Sequence, residues 1–185
     1  MNTSKGGTHL LDAEFLLSNK LGLRNGMTYA DLGIGSAMHF IFPAAQMVGN
    51  EGKVYAVDIQ KGLLSAAQSR ARTEGLGNIE TVWSDLEVYG AAKAITNDSL
   101  DALSLINVLY QTKEDEHVFN EANRMLKAGG KALVIDWLSN GASFGPPESA
   151  RTSLDKVRQM AKVVGWREIE VFEPGTYHFA ILFKK

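Results

Sequence analysis

Two kinds of apolar pattern alternate between residues 28 and 137. Short runs rich in β-branched and aromatic residues are followed by longer stretches in which apolar residues recur every three or four positions. The short runs predict the strands Thr28–Leu32, Lys53–Asp58, Ile79–Ser84, Leu100–Asn107 and Lys131–Trp137. The longer stretches predict the helices Ala37–Val48, Gly62–Glu74, Glu87–Ala94 (a weak pattern) and Glu114–Leu126. This alternation predicts βαβ units, and therefore a mostly parallel sheet with helices on both faces.

The segments on either side of this region predict further elements. Residues 10–22 predict an amphipathic helix whose apolar face contains Leu10, Leu11, Phe15, Leu16 and Leu17, within a short N-terminal cap segment of residues 1–25. Residues 138–150 predict a loop that can act as a lid, because it combines glycines and prolines. A helix follows over Thr152–Val164.

Three local signals refine these bounds. Pro43 predicts a kink in the helix that contains it, and Ala128-Gly129-Gly130 predicts the stop of the preceding helix. The final strands, Trp166–Phe172 and His178–Phe183, are joined by only five residues. Such a short link cannot contain a crossover helix, so this pair is predicted to be antiparallel.

The composition is that of a globular protein. The 185 residues predict a single domain, 1–185, and the formal charge of −2 disfavours a nucleic-acid-binding surface. Cysteine is absent, which excludes disulfides and thiolate chemistry. No apolar run reaches membrane-spanning length, and a cytoplasmic location is expected.

The most informative stretch is the turn after the first predicted strand. The acidic residue Asp31 lies at the end of this strand, and Gly33 and Gly35 then lead into an apolar helical stretch. Glycine lets a ligand approach the backbone closely because it has no Cβ. A second carboxylate, Asp58, closes the next strand. The two features predict a pocket for a nucleoside-bearing cofactor at the edge of the sheet.

The succession of these motifs resembles the class I S-adenosylmethionine-dependent methyltransferases. Asp31 to Ala37 resembles their first motif, with Ala37 in place of its third glycine, and Ser84-Asp85-Leu86 resembles their third-strand motif. Among them, the chain is most similar to small proteins akin to the ubiquinone/menaquinone-biosynthesis C-methyltransferases. The resemblance implies a Rossmann-like fold of seven strands in the order 3-2-1-4-5-7-6, with the last strand antiparallel.

The resemblance also implies which residues bind the cofactor, S-adenosyl-L-methionine. The glycines lie against its methionine portion, Ser36 caps the following helix, and Asp58 binds the ribose. Asp85 and the Leu86 backbone meet the adenine, and Asn107 lies beside the sulfonium. The complete implied set is Asp31, Gly33, Gly35, Ser36, Asp58, Ile59, Asp85, Leu86 and Asn107.

The catalytic residues are left open, with Tyr110, Asp136 and His178 as candidates near the carboxyl edge of the sheet. Tyr110 either orients a substrate or covers the cofactor, and Asp136 is either a base or a loop anchor. For His178, a hydrogen-bonded structural role is favoured over that of a general base. His39 either faces the cofactor or packs, and Trp83 is predicted to be core.

The predicted function is methyl transfer by in-line displacement to an unidentified acceptor, for which a small molecule is favoured over a macromolecule. No His, Asp or Glu cluster has metal-ligand spacing, so no metal is expected. Strand four ends in Asn107-Val108-Leu109-Tyr110 and not in Asn-Pro-Pro-Tyr, which disfavours amide and adenine N-methylation. Two alternatives stay open: a nicotinamide-dependent oxidoreductase, and a non-catalytic nucleoside-binding protein.

Overall fold

One seven-stranded sheet organises the molecule in the computed structural model, which describes residues 11–139 and 145–185. The strands are β1 (Thr28–Leu32), β2 (Lys53–Asp58), β3 (Ile79–Trp83), β4 (Leu100–Ile106), β5 (Leu126–Trp137), β6 (Arg167–Gly175) and β7 (His178–Lys184). Their order is β3-β2-β1-β4-β5-β7-β6, and β7 runs antiparallel to both β5 and β6, while the other neighbouring pairs are parallel. The predicted topology, including the antiparallel final pair, is confirmed.

Helices cover both faces of this sheet. They are α1 (Ala13–Phe15, continued by a π-helical segment, Leu16–Leu21), α2 (Ile41–Val48), α3 (Lys61–Thr73), α4 (Asp115–Met125) and α5 (Leu154–Val163). Short 3₁₀ turns lie at Leu109–Gln111 and Glu148–Ala150. Helices α4 and α5 contribute to one buried apolar cluster, and α1 to α3 contribute to the other. Successive strand residues point to opposite faces of the sheet. Most residues of β2 and β4 are buried, so these strands are covered on both faces.

The N-terminal helix is shorter than predicted, and one of its residues faces the other way. Leu11, Leu16 and Leu17 are buried as expected. Phe15, which was predicted on the same face, is 45% exposed. The π-helical geometry from Leu16 onward changes the angular spacing on which a 3.6-residue pattern depends. Leu10 lies outside the described residues.

The helix after β1 begins later than predicted. It starts at Ile41 and not at Ala37, and its N-cap is Phe40, so Ser36 does not cap it. Pro43 is the third residue of this helix. The N–H groups of the first turn have no partner inside a helix, so proline is tolerated there and does not interrupt the helix interior.

The weak helix predicted over Glu87–Ala94 is wrong, because these residues form turns. Their conformation is fixed by Glu121 on α4, whose carboxylate accepts hydrogen bonds from the N–H groups of Gly90 (2.7 Å) and Ala92 (3.3 Å). Arg124 pairs with Glu121 at 2.7 Å and donates to the carbonyl of Ile95 at 2.8 Å. Contacts from a distant helix therefore override the local pattern.

The glycine pair Gly129-Gly130 is not the helix stop that was predicted. Helix α4 ends at Met125, and β5 begins at Leu126. Gly129 adopts a φ of 81° within β5, and the register against β4 shifts between Leu100 and Ala102. The pair thus lies in a bulged strand, at a position whose left-handed backbone conformation favours glycine.

Candidate active site

A cavity of about 670 Å³ opens at the carboxyl edge of the sheet. Residues that follow β1, β2, β3 and β4 line it, together with the end of β5 and the start of β7. This is the edge at which ligands bind in open α/β sheets. Eleven of the twelve predicted site residues line this cavity: Asp31, Gly33, Gly35, Ser36, Asp58, Ile59, Asp85, Leu86, Asn107, Tyr110 and His178.

The glycine turn after β1 brings the backbone to the cavity. Gly33 and Gly35 have φ values of 91° and 59°, in the region that favours glycine. The N–H of Gly33 donates to the Val57 carbonyl of β2 at 2.8 Å. A Cβ added to Gly33 would lie 2.6 Å from the side chain of Val108, whereas one added to Gly35 meets nothing within 4 Å. Gly33 is therefore needed for packing, and Gly35 leaves open space at the cavity.

Asp58, at the end of β2, is buried, and its carboxylate accepts two backbone hydrogen bonds. Its Oδ1 accepts from the N–H of Gln60 at 2.8 Å, and its Oδ2 accepts from the N–H of Gly35 at 3.3 Å. Each carboxylate oxygen retains a further lone pair for a ligand. Ile59 follows with 54% exposure, and its carbonyl accepts from the indole N–H of Trp83 at 2.8 Å.

Asp85 and Leu86 line the cavity after β3. The Oδ1 of Asp85 accepts from the N–H of Glu87 at 2.9 Å, which fixes the carboxylate within a turn. Ser84 is buried, and its hydroxyl has no hydrogen-bond partner among residues 11–139 and 145–185. Trp83, which was predicted to be core, is 51% exposed because it belongs to an edge strand.

Asp31 ends a chain of buried hydroxyl groups. Ser104 donates to Asp31 Oδ1 at 2.6 Å, and the hydroxyls of Tyr29 and Ser104 are 2.5 Å apart. Because Ser104 uses its proton toward Asp31, Tyr29 donates to Ser104. Burial raises the pKa of Asp31 to about 7, although the Ser104 hydrogen bond lowers it, and the charge of Asp58 adds to the rise.

Asn107 adopts an unusual conformation at the end of β4. Its φ is 55°, which asparagine tolerates better than most residues. Its N–H donates to the Ile135 carbonyl at 2.9 Å, and its carbonyl accepts from Gln111 Nε2 at 2.9 Å. Its side-chain Oδ1 is buried and has no hydrogen-bond partner within the described parts of the chain. A buried acceptor of this kind is suited to a ligand donor.

Tyr110, Trp137 and His178 form an aromatic side of the cavity. The rings of Trp137 and His178 lie 4.4 Å apart at 41°. His178 is buried, burial lowers its pKa to about 4, and the described residues offer no hydrogen-bond partner to its Nε2. Burial, and secondarily the charge of Asp136, raise the pKa of Tyr110.

Asp136 is not brought to the cavity, unlike the other catalytic candidates. Its fully buried carboxylate accepts from the N–H groups of Trp137 (2.8 Å) and Leu109 (3.1 Å). Burial raises its pKa to about 6, opposed by these bonds and by one from the Tyr110 backbone. Of its two predicted roles, these contacts favour that of a loop anchor.

Several lining residues were missed by the sequence interpretation, among them Glu87, Gln111, Thr112 and Phe40. Glu87 lies two residues after Asp85 in the same loop, so its position in the sequence could have identified it as a cavity residue. Phe40 is apolar, so its side chain gave no indication of a binding role. His39, for which two roles were open, lines the cavity, and its Nε2 lies 2.6 Å from the carbonyl oxygen of Leu11.

Two absences apply to the residues that the structure describes. No group of three His, Cys, Asp or Glu side chains among them is arranged to hold a metal ion. No helix among them is long and apolar enough to cross a membrane. The predicted lid, residues 138–150, falls partly on residues 140–144, which lie outside the described ranges.

A family model described as a methyltransferase domain matches residues 23–167. The chain belongs to this methyltransferase family. The match spans most of the chain and includes the cavity residues from β1 to β5, so the family resemblance read from the motifs is confirmed.

Curated relatives are similar to this chain over part of their length. The ubiquinone/menaquinone biosynthesis C-methyltransferase UbiE of Escherichia fergusonii is 30% identical over 132 residues, which cover 71% of this chain and 50% of that protein. The chain therefore spans about half the length of the curated relatives it matches.

Solved structures are similar over more of the fold. A SAM-dependent methyltransferase from Aquifex aeolicus has a TM-score of 0.84 at 28% identity, covering 94% of this chain and 89% of that one. Phosphoethanolamine N-methyltransferase 2 of Haemonchus contortus, solved with S-adenosyl-L-methionine, has a TM-score of 0.67 at 19% identity. That match covers 86% of this chain and 37% of the other, and it supports the fold alone.

Proposed function

We propose that this chain is an S-adenosylmethionine-dependent methyltransferase that acts on a small-molecule acceptor. The observation that carries the proposal is the arrangement of three carboxylates, Asp31, Asp58 and Asp85, around one cavity. They lie at or just after the carboxyl ends of three adjacent parallel strands, β1, β2 and β3, and the open backbone at Gly35 lies in the same cavity. The names of the Aquifex aeolicus structure and of the UbiE relative support the same activity.

The residues of the cavity fit this cofactor. Asp58 has lone pairs available for two ribose hydroxyls. Asp85 and the Leu86 backbone suit the adenine edge, and Ile59 is exposed beside them for contact with the ring. The unpartnered Asn107 Oδ1 and the carboxylate of Asp31 suit the ammonium group of the methionine portion. The backbone groups of Gly33, Gly35 and Ser36 are available to contact that portion.

When bound, the cofactor supplies a methyl group already activated on a sulfonium. The task left to the chain is to hold the acceptor in line with the methyl group and to exclude water. Orientation of this kind can lower the activation barrier by about 7 kcal/mol or more. Asp136 is buried in backbone hydrogen bonds, and the lowered pKa of His178 makes it a weak base. We therefore assign Tyr110 and His178 to acceptor contact, and not to proton removal.

Turnover tests this function directly. The chain is incubated with S-adenosylmethionine and a panel of small neutral acceptors, and formation of S-adenosylhomocysteine is measured. Product with any acceptor supports the proposal. Tight binding of the cofactor without product from any acceptor would favour the non-catalytic alternative, and binding of NAD⁺ in its place would favour the oxidoreductase. The proposed partner is thus a small molecule; a cytoplasmic location and the absence of nucleic-acid binding stay predictions.

The raised pKa of Asp31 predicts a pH-dependent affinity. A bound ammonium favours the carboxylate form, so binding lowers the pKa of Asp31 and releases a proton. Below the free-state pKa of about 7, the affinity for S-adenosylhomocysteine is expected to fall by up to about tenfold per pH unit. Above that pKa, the affinity is expected to level off.

Calorimetric titrations between pH 5.5 and 8 measure this dependence. Asp31→Asn is the control, since its amide oxygen still accepts from Ser104 but does not titrate. The variant is expected to bind more weakly at pH 8 and to show a flat profile. A flat profile in the wild-type protein would contradict the assignment of Asp31.

A further inference from the structure

One carboxylate connects two loops that line the cavity. Glu87 belongs to the loop after β3, together with Asp85 and Leu86. Its Oε1 accepts hydrogen bonds from the N–H groups of Lys113 (2.7 Å) and Glu114 (2.6 Å), at the start of α4. These amides follow Tyr110, Gln111 and Thr112, which line the cavity after β4. The β3 loop and the β4 loop are therefore tied together at Glu87.

The two ends of the β4 loop are held differently. Asp136 binds the N–H of Leu109 from inside the core, where its carboxylate is fully buried. That contact comes from the central sheet and does not pass through the cavity-lining loops. Glu87 is only partly buried, and its own N–H is bound by Asp85, a cavity residue. Whatever orders Asp85 thereby also orders Glu87.

We propose that Glu87 is a positioning residue that transmits occupancy of the Asp85–Leu86 end of the cavity to the acceptor loop, residues 109–114. This inference rests on the proposed function, because the occupant of that end is the adenine of the cofactor. Ligand contact with Asp85 restrains the turn that carries Glu87, and the restrained carboxylate holds the N–H groups of Lys113 and Glu114. The acceptor side is thus completed after the cofactor binds.

Hydrogen exchange of the intact protein tests the connection, with S-adenosylhomocysteine as the probe. An amide exchanges only when its hydrogen bond opens, so the rates at Lys113 and Glu114 report on the contact with Glu87. In the wild-type protein, the ligand is expected to slow exchange at these two amides by about tenfold. It is also expected to slow exchange at Gly35, in the glycine turn.

Three substitutions at one position define the mechanism. Glu87→Ala removes the acceptor, and Glu87→Asp keeps the charge but shortens the side chain by one methylene group, which takes the carboxylate out of reach. Both are expected to lose the ligand-dependent slowing at Lys113 and Glu114 while keeping it at Gly35. Glu87→Gln retains an oxygen at the same reach and is expected to restore much of the effect. If Glu87→Ala does not fold, Glu87→Asp decides.

Glu116→Ala is the matched control. Glu116 is an exposed carboxylate in the first turn of the same helix, and it makes no hydrogen bond or ion pair with the described residues. This variant is expected to behave as the wild-type protein does.

The outcomes separate the inference from the function. If the ligand slows exchange nowhere in the wild-type protein, the proposed cofactor site is wrong. If it slows exchange at Gly35 but not at Lys113 and Glu114, or if Glu87→Asp keeps the full effect, the role of Glu87 is overturned.

Discussion

Replacing Asp58 by alanine is expected to weaken the binding of S-adenosylhomocysteine by at least about a hundredfold. A hydrogen bond to a charged group contributes about 1.5–3 kcal/mol, and two ribose hydroxyls would lose such a bond together. The same substitution removes the acceptor for the N–H of Gly35, which loosens the glycine turn beside the ligand. Both effects act in the same direction.

Isothermal titration of the folded variant measures this loss. Asp58→Asn is expected to lie between the wild-type protein and Asp58→Ala, since an amide oxygen can replace one acceptor but not both. Asp155→Ala is the control for a lost carboxylate, because the Asp155 side chain is 92% exposed on α5 and does not line the cavity. An affinity of Asp58→Ala within threefold of the wild-type value would contradict the proposed cofactor site.

Alanine at Gly33 is expected to reduce the free energy of unfolding by about 3 kcal/mol. Part of this cost is the left-handed backbone, about 1–2 kcal/mol for a residue with a Cβ. The rest is overpacking, about 1–3 kcal/mol, because the new methyl group would lie 2.6 Å from Val108 Cγ2. Val108 is itself buried, so it has little freedom to move away.

Gly35 provides a matched comparison in the same turn. Gly35 also has a positive φ, but a Cβ there meets nothing within 4 Å. Gly35→Ala is therefore expected to lose only the backbone term of about 1–2 kcal/mol. Its main effect is expected on ligand binding, because the methyl group would enter the cavity.

Urea denaturation of the two variants separates these effects, and a double variant identifies the clash. In Gly33→Ala/Val108→Ala, the contacting methyl groups are gone, so the loss is expected to be smaller than the sum of the single losses. Equal destabilisation by Gly33→Ala and Gly35→Ala would show that Val108 does not restrict the turn.

The strands were predictable because their signals are local, and their order was implied by the resemblance of the motifs to the class I methyltransferases. Buried parallel strands are continuous apolar runs, and the predicted bounds of β2 match the observed ones. The short link predicted before His178 permits only an antiparallel pair, as observed. The positions of Asp31 and Asp58 at strand ends placed them at one edge of the sheet, since all parallel strands end there.

The loops were predicted less well because residues distant in the sequence fix them. Glu121 lies about thirty residues after the turns at Gly90 and Ala92 that it holds, and no local pattern reports on it. The late start of α2 leaves Ser36 in a turn that lines the cavity, whereas it was expected to cap the helix. Trp83 has a large apolar side chain of the kind found in cores, but it is exposed because β3 is an edge strand.

The sequence by itself determined the strands, the antiparallel final pair and the placement of Asp31 and Asp58 at one edge of the sheet, and its motifs implied the fold family, the strand order and Asp85. The first three follow from periodicity, link length and residues at strand ends, which the covalent chain specifies directly. The others follow from the resemblance of the motifs to the class I methyltransferases. Only the tertiary structure decided that Asp136 is buried as an anchor while His178 lines the cavity, and that Glu87 joins two loops. Each of these outcomes depends on which side chain or backbone group from a distant segment comes within about 3 Å, and that distance exists only after the sheet has assembled.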